Sequence, residues 1–283
     1  MPVTGRVVMT RQPAQAGDVE AGLREAGWTV RFLPLTDFEL PADLTDLHGA
    51  VDRLRAGGYA WLVATSPNTV RSLVRAGWDG SLPTGTRVAV TGPGTARVLA
   101  GAGCPATPWM PDGDASAAGI IAGFPAAPGE APARGAGGSR ETARVFLPQS
   151  ALATDEVATA LRSRGWDVQR VEAYRTVPYP AAPERRLLAG TGRDPAADGP
   201  GGAVVGLPDL SGAVVVLTSP SAVRELSRHP DGRGPAGVRF VAIGQPTRRA
   251  AEKAGIELIG TAASPDAAGL LEVLGRQSAP RSP

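Results

Sequence analysis

Short apolar runs alternate with amphipathic helical stretches along the whole chain. Runs of three or four apolar residues at 7–9, 61–64, 88–90, 214–217 and 241–243 read as buried strands. Each is followed by a segment of helical periodicity, over 18–26, 68–75 and 96–102 in the first half. Gly27 closes the first of these helices, and Thr65-Ser66-Pro67 caps the second. The pattern occurs twice. RVVMTRQPAQAGDVEAGLREAGWTVRFLPL is matched by RVFLPQSALATDEVATALRSRGWDVQRVEAY, with Gly27-Trp28 recurring as Gly165-Trp166. WLVATSPNTVRSL is matched by VVVLTSPSAVREL, VAVTGPGTARVLAGAGC by VAIGQPTRRAAEKAGI, and SAAGIIAGF by DAAGLLEVL. Doubled strand–helix alternation predicts two α/β units, each with a largely parallel sheet flanked by helices.

The spacing between copies widens along the chain, which places an insertion at 190–209 in the second copy. A further tract at 125–141 separates the copies. Both are rich in Gly, Pro and Ala or Asp and read as flexible surface loops.

Composition narrows the chemistry. Net charge is +2, and no stretch stacks basic residues as an arm would, so nucleic acid is not expected as a partner. One cysteine and two histidines leave no disulfide framework and little for a metal site, and none is expected. Cys104 reads as a buried filler, and His48 and His229 as surface residues. No apolar run reaches the roughly 18 residues of a membrane helix. MPVTGRVVMTRQP is unlike a secretory signal, so a soluble, cytoplasmic chain is expected.

In an open parallel sheet, ligands bind outside the carboxyl ends of the strands. Arg11, Thr65, Ser66, Asn68, Gly92, Thr95, Ser219, Ser221, Gly244 and Thr247 all fall in such strand-to-helix turns. These turns combine hydroxyls with the unpaired N–H groups of helix N-termini, which favour anions. Any one of them also reads as an ordinary cap. Gly92-x-Gly94-x-x-Arg97 misses the third glycine of a dinucleotide fingerprint, and no Gly-x-Ser-x-Gly elbow or phosphate-binding lysine loop is present. Tyr174 closes the alternating run VQRVEAYRT, as a half-buried anchor or as a phenol donor lining a cleft.

The ordered set of these segments, with its doubled TSP and glycine–threonine turns, resembles the uroporphyrinogen-III synthase family from Arg6 to about Leu274. The resemblance implies two α/β domains joined by a two-stranded linker near LPLTDFELP and AYRTVPYP, with the site in the cleft between them. It implies an interleaved chain: 1–37 with 178–283 in one domain and 38–177 in the other. It implies a monomeric, cofactor-independent lyase that converts hydroxymethylbilane to uroporphyrinogen III, losing water and inverting ring D through an azafulvene and a spiro intermediate. Tyr174 matches the family's tyrosine, a candidate to assist departure of the hydroxyl. Thr65, Ser66, Ser219 and Thr247 match cleft hydroxyls, and Arg11 matches an early Thr-Arg pair. LPQSALATDEV lacks the glycine and the Ala-Arg pair of many members, and Gln245-Pro246 replaces the usual glycine-turn residues. A non-catalytic two-lobed sensor of a small anionic ligand is the alternative. A regulator fused to a DNA-binding module is disfavoured by the few residues after Leu274.

Overall fold

The computed structural model describes residues 5–128, 143–188, 204–232 and 234–276. In chain order the elements are β1 (Arg6–Met9), α1 (Asp18–Glu25), β2 (Thr29–Phe32), β3 (Thr36–Glu39), α2 (Thr45–Arg55), β4 (Trp61–Ala64), α3 (Pro67–Arg75), β5 (Arg87–Val90), α4 (Pro93–Gly101) and α5 (Ala117–Gly123). Then follow β6 (Arg144–Ser150), α6 (Glu156–Ser163), β7 (Asp167–Pro178), β8 (Val214–Leu217), α7 (Pro220–Arg228), β9 (Arg239–Ala242), α8 (Gln245–Lys253), β10 (Leu258–Thr261) and α9 (Ala267–Arg276).

The chain divides into two units. One contains residues 1–37, 177–180 and 188–283; the other contains 38–176 and 181–187. The first holds a five-stranded sheet in the order β10-β9-β8-β1-β2, with parallel pairing throughout. The second holds a sheet in the order β3-β7-β6-β4-β5, parallel from β7 to β5. The short segment 181–187 packs with the second unit, where Leu40 N–H donates to Arg185 O and Leu187 N–H to Phe38 O.

Both sheets are covered on both faces, which is why their strands read as unbroken apolar runs. In the first unit Val7, Met9, Val214 and Val216 meet α1 and α9 through Leu23, Leu270 and Leu274. Val8, Val215 and Leu217, one residue out of phase, meet α7 and α8 through Val223, Leu226 and Ala251. In the second unit Leu62, Ala64, Val88, Val90 and Phe146 face α2, α3 and α4. Trp61, Val63, Ala89, Val145 and Leu147 face α5 and α6.

The glycine–tryptophan repeats are helix stops. Gly27 and Gly165 take φ of 88° and 87°, and Trp28 and Trp166 N–H groups reach back to Leu23 O and Leu161 O. Cys104 is buried and its thiol is pushed up by desolvation, while His48 and His229 are exposed.

The two low-complexity tracts differ from a reading as wholly loose loops. Most of 125–141, and 190–203 of the second, lie outside the described residues. At the edges the chain is anchored. Pro125 O accepts from Trp166 Nε1 at 2.8 Å. Val205 N–H donates to Phe32 O at 2.8 Å, and Leu207 and Leu210 are buried in the core of the first unit. The apolar residues GAVVGLPDL, diluted among Gly and Pro, supply enough surface to pack residues 204–209 there.

The loop after β1 is fixed by buried charge. Glu20, fully buried in the first turn of α1, accepts from Arg11 Nε at 2.6 Å and from Gly17 N–H at 2.9 Å. Gln12 Nε2 donates to Asp37 Oδ1 at 2.7 Å and to Thr36 O at 3.2 Å. Replacing Glu20 with alanine removes a cap and leaves the Arg11 guanidinium unmatched. The expected cost is about 2–3 kcal/mol, below the full buried-pair figure because Arg11 is partly in contact with solvent. Urea unfolding of Glu20→Ala against the parent checks this.

Candidate active site

The turns singled out in the sequence stand at the carboxyl ends of the strands in both units, and each unit gathers its own set. In the second unit Ser66 is the N-cap of α3. Its Oγ accepts from Asn68 N–H at 3.1 Å and from Thr69 N–H at 3.4 Å, and it lies 2.9 Å from the Tyr174 hydroxyl. A serine hydroxyl has two lone pairs and one proton. With both lone pairs directed at backbone N–H groups, the arrangement that uses every group has Ser66 donate to Tyr174. The phenol then keeps its own proton for another acceptor.

Tyr174 reaches this position through a bulge. Along β6 and β7, Gln149 pairs with Glu172 but Ser150 pairs with Tyr174, so Ala173 is an extra residue. Strict alternation would put Ala173 and Tyr174 on opposite faces. Instead both belong to the core cluster that faces α2, α3 and α4. The ring of Phe38 meets that of Tyr174 edge-on, centroids 6.0 Å apart. Only 8% of Tyr174 is exposed. Burial pushes the phenol above the ordinary tyrosine range, and the Ser66 and Ser150 hydroxyls pull in the opposite direction.

The other residues of this unit fall into two kinds. Thr65 is half-buried and its carbonyl accepts from Thr91 Oγ1 at 3.3 Å. Thr95 is buried, 3.4 Å from the Thr91 hydroxyl. Gly92 is there for space: a Cβ on it would stand 2.7 Å from Ala115 Cβ. Asn68 Oδ1 accepts from Arg71 NH1 at 2.8 Å. Arg71 is not among the residues singled out above. Its guanidinium is half-buried, desolvation pulls its pKa down, and its hydrogen bond goes to an amide rather than to a carboxylate. The signal is present in the repeat, because TSP-x-x-Val-Arg occurs at 65–71 and again at 218–224.

In the first unit a cavity of about 440 Å³ opens over the ends of β8, β9 and β10. Ser219, Gly244 and Thr247 line it, with Thr218 and Ile243. Ala262, Ala263 and Pro265 complete it from the β10–α9 turn, which carries no hydroxyl-rich repeat to mark it. Ser219 caps α7 by accepting from Ala222 N–H at 3.1 Å, and its Oγ lies 3.2 Å from that of Ser221. Arg11 is held by Glu20 in the same unit.

This is a twofold-repeated α/β protein in which serine hydroxyls cap the equivalent helices α3 and α7, with the buried Tyr174 phenol against one of them. The chain belongs to the uroporphyrinogen-III synthase family: the family model described as uroporphyrinogen-III synthase HemD matches residues 17–272. It is 29% identical over 273 residues to the chloroplastic uroporphyrinogen-III synthase of Oryza sativa subsp. japonica, covering 94% of this chain and 78% of that protein. Two solved structures share the fold. Uroporphyrinogen-III synthetase of Helicobacter pylori 26695 aligns with a TM-score of 0.55 at 15% identity, covering 97% of this chain and all of the other. A mutant uroporphyrinogen III synthase of Thermus thermophilus aligns with a TM-score of 0.50 at 18% identity, covering 96% of this chain and 98% of the other. The chain is thereby an enzyme of tetrapyrrole biosynthesis, a cyclising lyase.

The two glycine turns separate packing from binding. Gly92→Ala drives a methyl group into Ala115 and is expected to cost about 1–3 kcal/mol. Gly244 is extended and its nearest neighbour to a Cβ is Pro246 Cδ at 4.0 Å, so Gly244→Ala leaves stability within about 0.5 kcal/mol. Its methyl enters the cavity and is expected to raise KM. Thermal melts and steady-state kinetics of the two variants distinguish the effects.

The Tyr174 phenol gives a second test. Its share of the ultraviolet titration, taken as the difference between parent and Tyr174→Phe, is expected above free tyrosine. Ser66→Ala moves it higher still, because a donated hydrogen bond favours the phenolate. The folded chain holds this proton more tightly than the unfolded chain does. Stability is therefore fully present below the ordinary tyrosine range and declines as pH rises through it. A midpoint at the free-tyrosine value would place the phenol in water.

Proposed function

We propose that the chain closes hydroxymethylbilane into uroporphyrinogen III, with loss of water and inversion of ring D, and that Tyr174 assists the departing hydroxyl. The observation that carries this reading is the buried Tyr174–Ser66 pair at the mouth of α3. A phenol whose acceptor side is already taken by Ser66 presents its proton to a leaving oxygen, and burial keeps that proton in place at neutral pH.

The remaining work is positioning. The uncatalysed bilane cyclises without inverting ring D, so the enzyme must hold one geometry while water leaves and a cation develops. The substrate carries eight carboxylates. Each unit has its own helix N-termini suited to such a ligand, α3 and α4 in one and α7 and α8 in the other, with N–H groups and positive dipole ends. The hydroxyls of Thr65, Ser66, Thr95, Ser219, Ser221 and Thr247, the Asn68 amide, and the backbone at Gly92 and Gly244 belong to those turns. Arg71 adds a charge without an acidic partner. Arg11, tied to Glu20 through both Nε and NH2, serves to hold its loop.

The proposal extends to a monomer working in the cytoplasm without a cofactor. No helix among the described residues is long and apolar enough to cross a membrane. The rice relative is named as chloroplastic, so the compartment differs among relatives. Light scattering on the purified chain tests the monomer.

A coupled assay tests the reaction. Freshly generated hydroxymethylbilane is fed to the purified chain and the oxidised porphyrins are resolved by isomer. A type III excess over the enzyme-free control is expected; type I alone from a folded chain would overturn the reading. Tyr174→Phe is expected to keep the fold and lose activity by about 10²-fold, the usual scale of a positioned proton donor.

A further inference from the structure

The turn that holds Tyr174 also gathers an amide and a guanidinium. Ser66 Oγ lies 2.9 Å from the Tyr174 hydroxyl and accepts from Asn68 N–H at 3.1 Å. Asn68 Oδ1 in turn accepts from Arg71 NH1 at 2.8 Å. We infer that Asn68 Nδ2 and the Arg71 guanidinium together receive a carboxylate of the substrate, on the acid arm of the ring whose hydroxyl departs at Tyr174. This inference rests on the proposed function.

The amide supplies the first half of the site. A carboxamide offers one acceptor oxygen and two N–H donors, and a guanidinium can only donate. The bond from Arg71 therefore fixes which way the Asn68 amide faces. Its Nδ2 is left with no acceptor among the described residues. Only 8% of Asn68 is exposed, yet Nδ2 is not sealed from solvent. A largely buried donor without an acceptor is costly, and an entering acceptor removes that cost.

The cation supplies the second half. Arg71 is half-buried, desolvation disfavours its charge, and no carboxylate among the described residues pairs with it. Other arginines of the same unit, Arg144, Arg170, Arg175 and Arg185, each meet an acid. A guanidinium drawn out of water beside an amide donor matches a planar group with two acceptor oxygens. One oxygen would accept from Nδ2 and the other from a guanidinium N–H. The phenol and Asn68 N–H both meet the Ser66 oxygen, so the pair stands beside the proposed proton donor. A pyrrole carries its acid arm on the carbon next to the one that bears the hydroxymethyl group, which suits that spacing.

The internal repeat shows that the helix turn alone does not build this pair. Ser219, Ser221 and Arg224 hold the positions of Ser66, Asn68 and Arg71 in the other copy. There the Ser221 hydroxyl turns to that of Ser219, 3.2 Å away, and Arg224 stands exposed. The same cap and the same arginine position thus leave the guanidinium in solvent when no asparagine draws it in. The amide, the half-buried cation and the tyrosine contact occur together, in one copy.

With hydroxymethylbilane, Arg71→Gln is expected to raise KM about tenfold, the scale of one charge-assisted hydrogen bond, with kcat near the parent value. Arg71→Lys is expected to fall between. Asn68→Asp keeps the oxygen that Arg71 uses and puts a carboxylate where the Nδ2 donor stood. It pairs with Arg71 internally and suits the N-terminal end of α3. Its melting temperature is expected at or above the parent's while KM rises at least as much as in Arg71→Gln. A packing role predicts the opposite, a lower melting temperature with KM unchanged. Arg224→Gln is the control for general attraction and is expected to leave KM in place. The second measurement needs no turnover. Porphobilinogen, a monopyrrole with one acetate and one propionate arm, is titrated into isotope-labelled chain. The Asn68 side-chain amide signal is expected to shift, and the shift is lost in Arg71→Gln. An unchanged KM in Arg71→Gln and Asn68→Asp, an equal rise in Arg224→Gln, or an amide signal that stays in place overturns the inference. If the parent makes only type I product while the amide still shifts, the proposed function falls and the pair stands as a site for a pyrrole acid.

Discussion

The first unit exists only because β1 enters its sheet between β2 and β8. Thr10 and Thr218, more than two hundred residues apart, lock the entry. Thr10 N–H and Oγ1 both donate to Val216 O, Thr218 N–H donates to Thr10 Oγ1, and the Thr218 hydroxyl reaches Thr10 O. These bonds end the two strands at the same level. Arg11 and Ser219 then follow as the first residues beyond the sheet edge. A pairing of such sequence separation forms late and slowly, since loop closure must precede any gain from contact. It also means that β1 and β2 pair within the first sheet, while the second sheet starts with β3.

Beyond that lock, one local solution is used twice and then made to differ. Ser66 and Ser219 hold equivalent caps, each extended and followed by proline at the first helical position. Ser219 spends its remaining capacity on Ser221. Ser66 spends it on Tyr174, which the other unit does not have at this place. The divergence is also one of polarity. The cavity over β8–β10 is walled by proline, alanine and isoleucine, whereas that beside β7 is walled by arginines and carboxylates. Two copies of a fold thus offer an apolar recess with a few hydroxyls and a charged recess beside α6.

The repeats and turns of this organisation were legible in the sequence because they are local. Thr-Ser-Pro before an amphipathic run has one common use, and Gly-Trp after one has another, so helices α1 and α3 could be bounded within a residue or two. The candidate hydroxyls followed from those bounds. What escaped depends on pairing at a distance. Period-two reading of VQRVEAYRT sets Ala173 and Tyr174 on opposite faces, and only the register against β6 shows that a bulge turns both inward. Arg11 reads as a free cation until Glu20, nine residues on, is seen buried against it.

A phenol is well matched to the step proposed for it. The hydroxyl to be expelled is already activated by the electron-rich pyrrole that carries it, so a positioned hydrogen-bond donor suffices where a strong acid is not needed. A carboxylic acid at the same place would be ionised at neutral pH unless deeply buried, and an ionised one would repel a substrate bearing many carboxylates. An imidazolium would donate, but it would lose that capacity across the physiological range. The phenol avoids both faults. It is neutral beside the anionic arms, and burial against Phe38 and the α3 cap raises its pKa further from physiological pH. The Ser66 proton, donated to its oxygen, pulls the other way and keeps the phenol from becoming a still weaker donor. Burial and the serine cap act in opposite directions on one group, and their balance sets a donor that stays protonated without being inert.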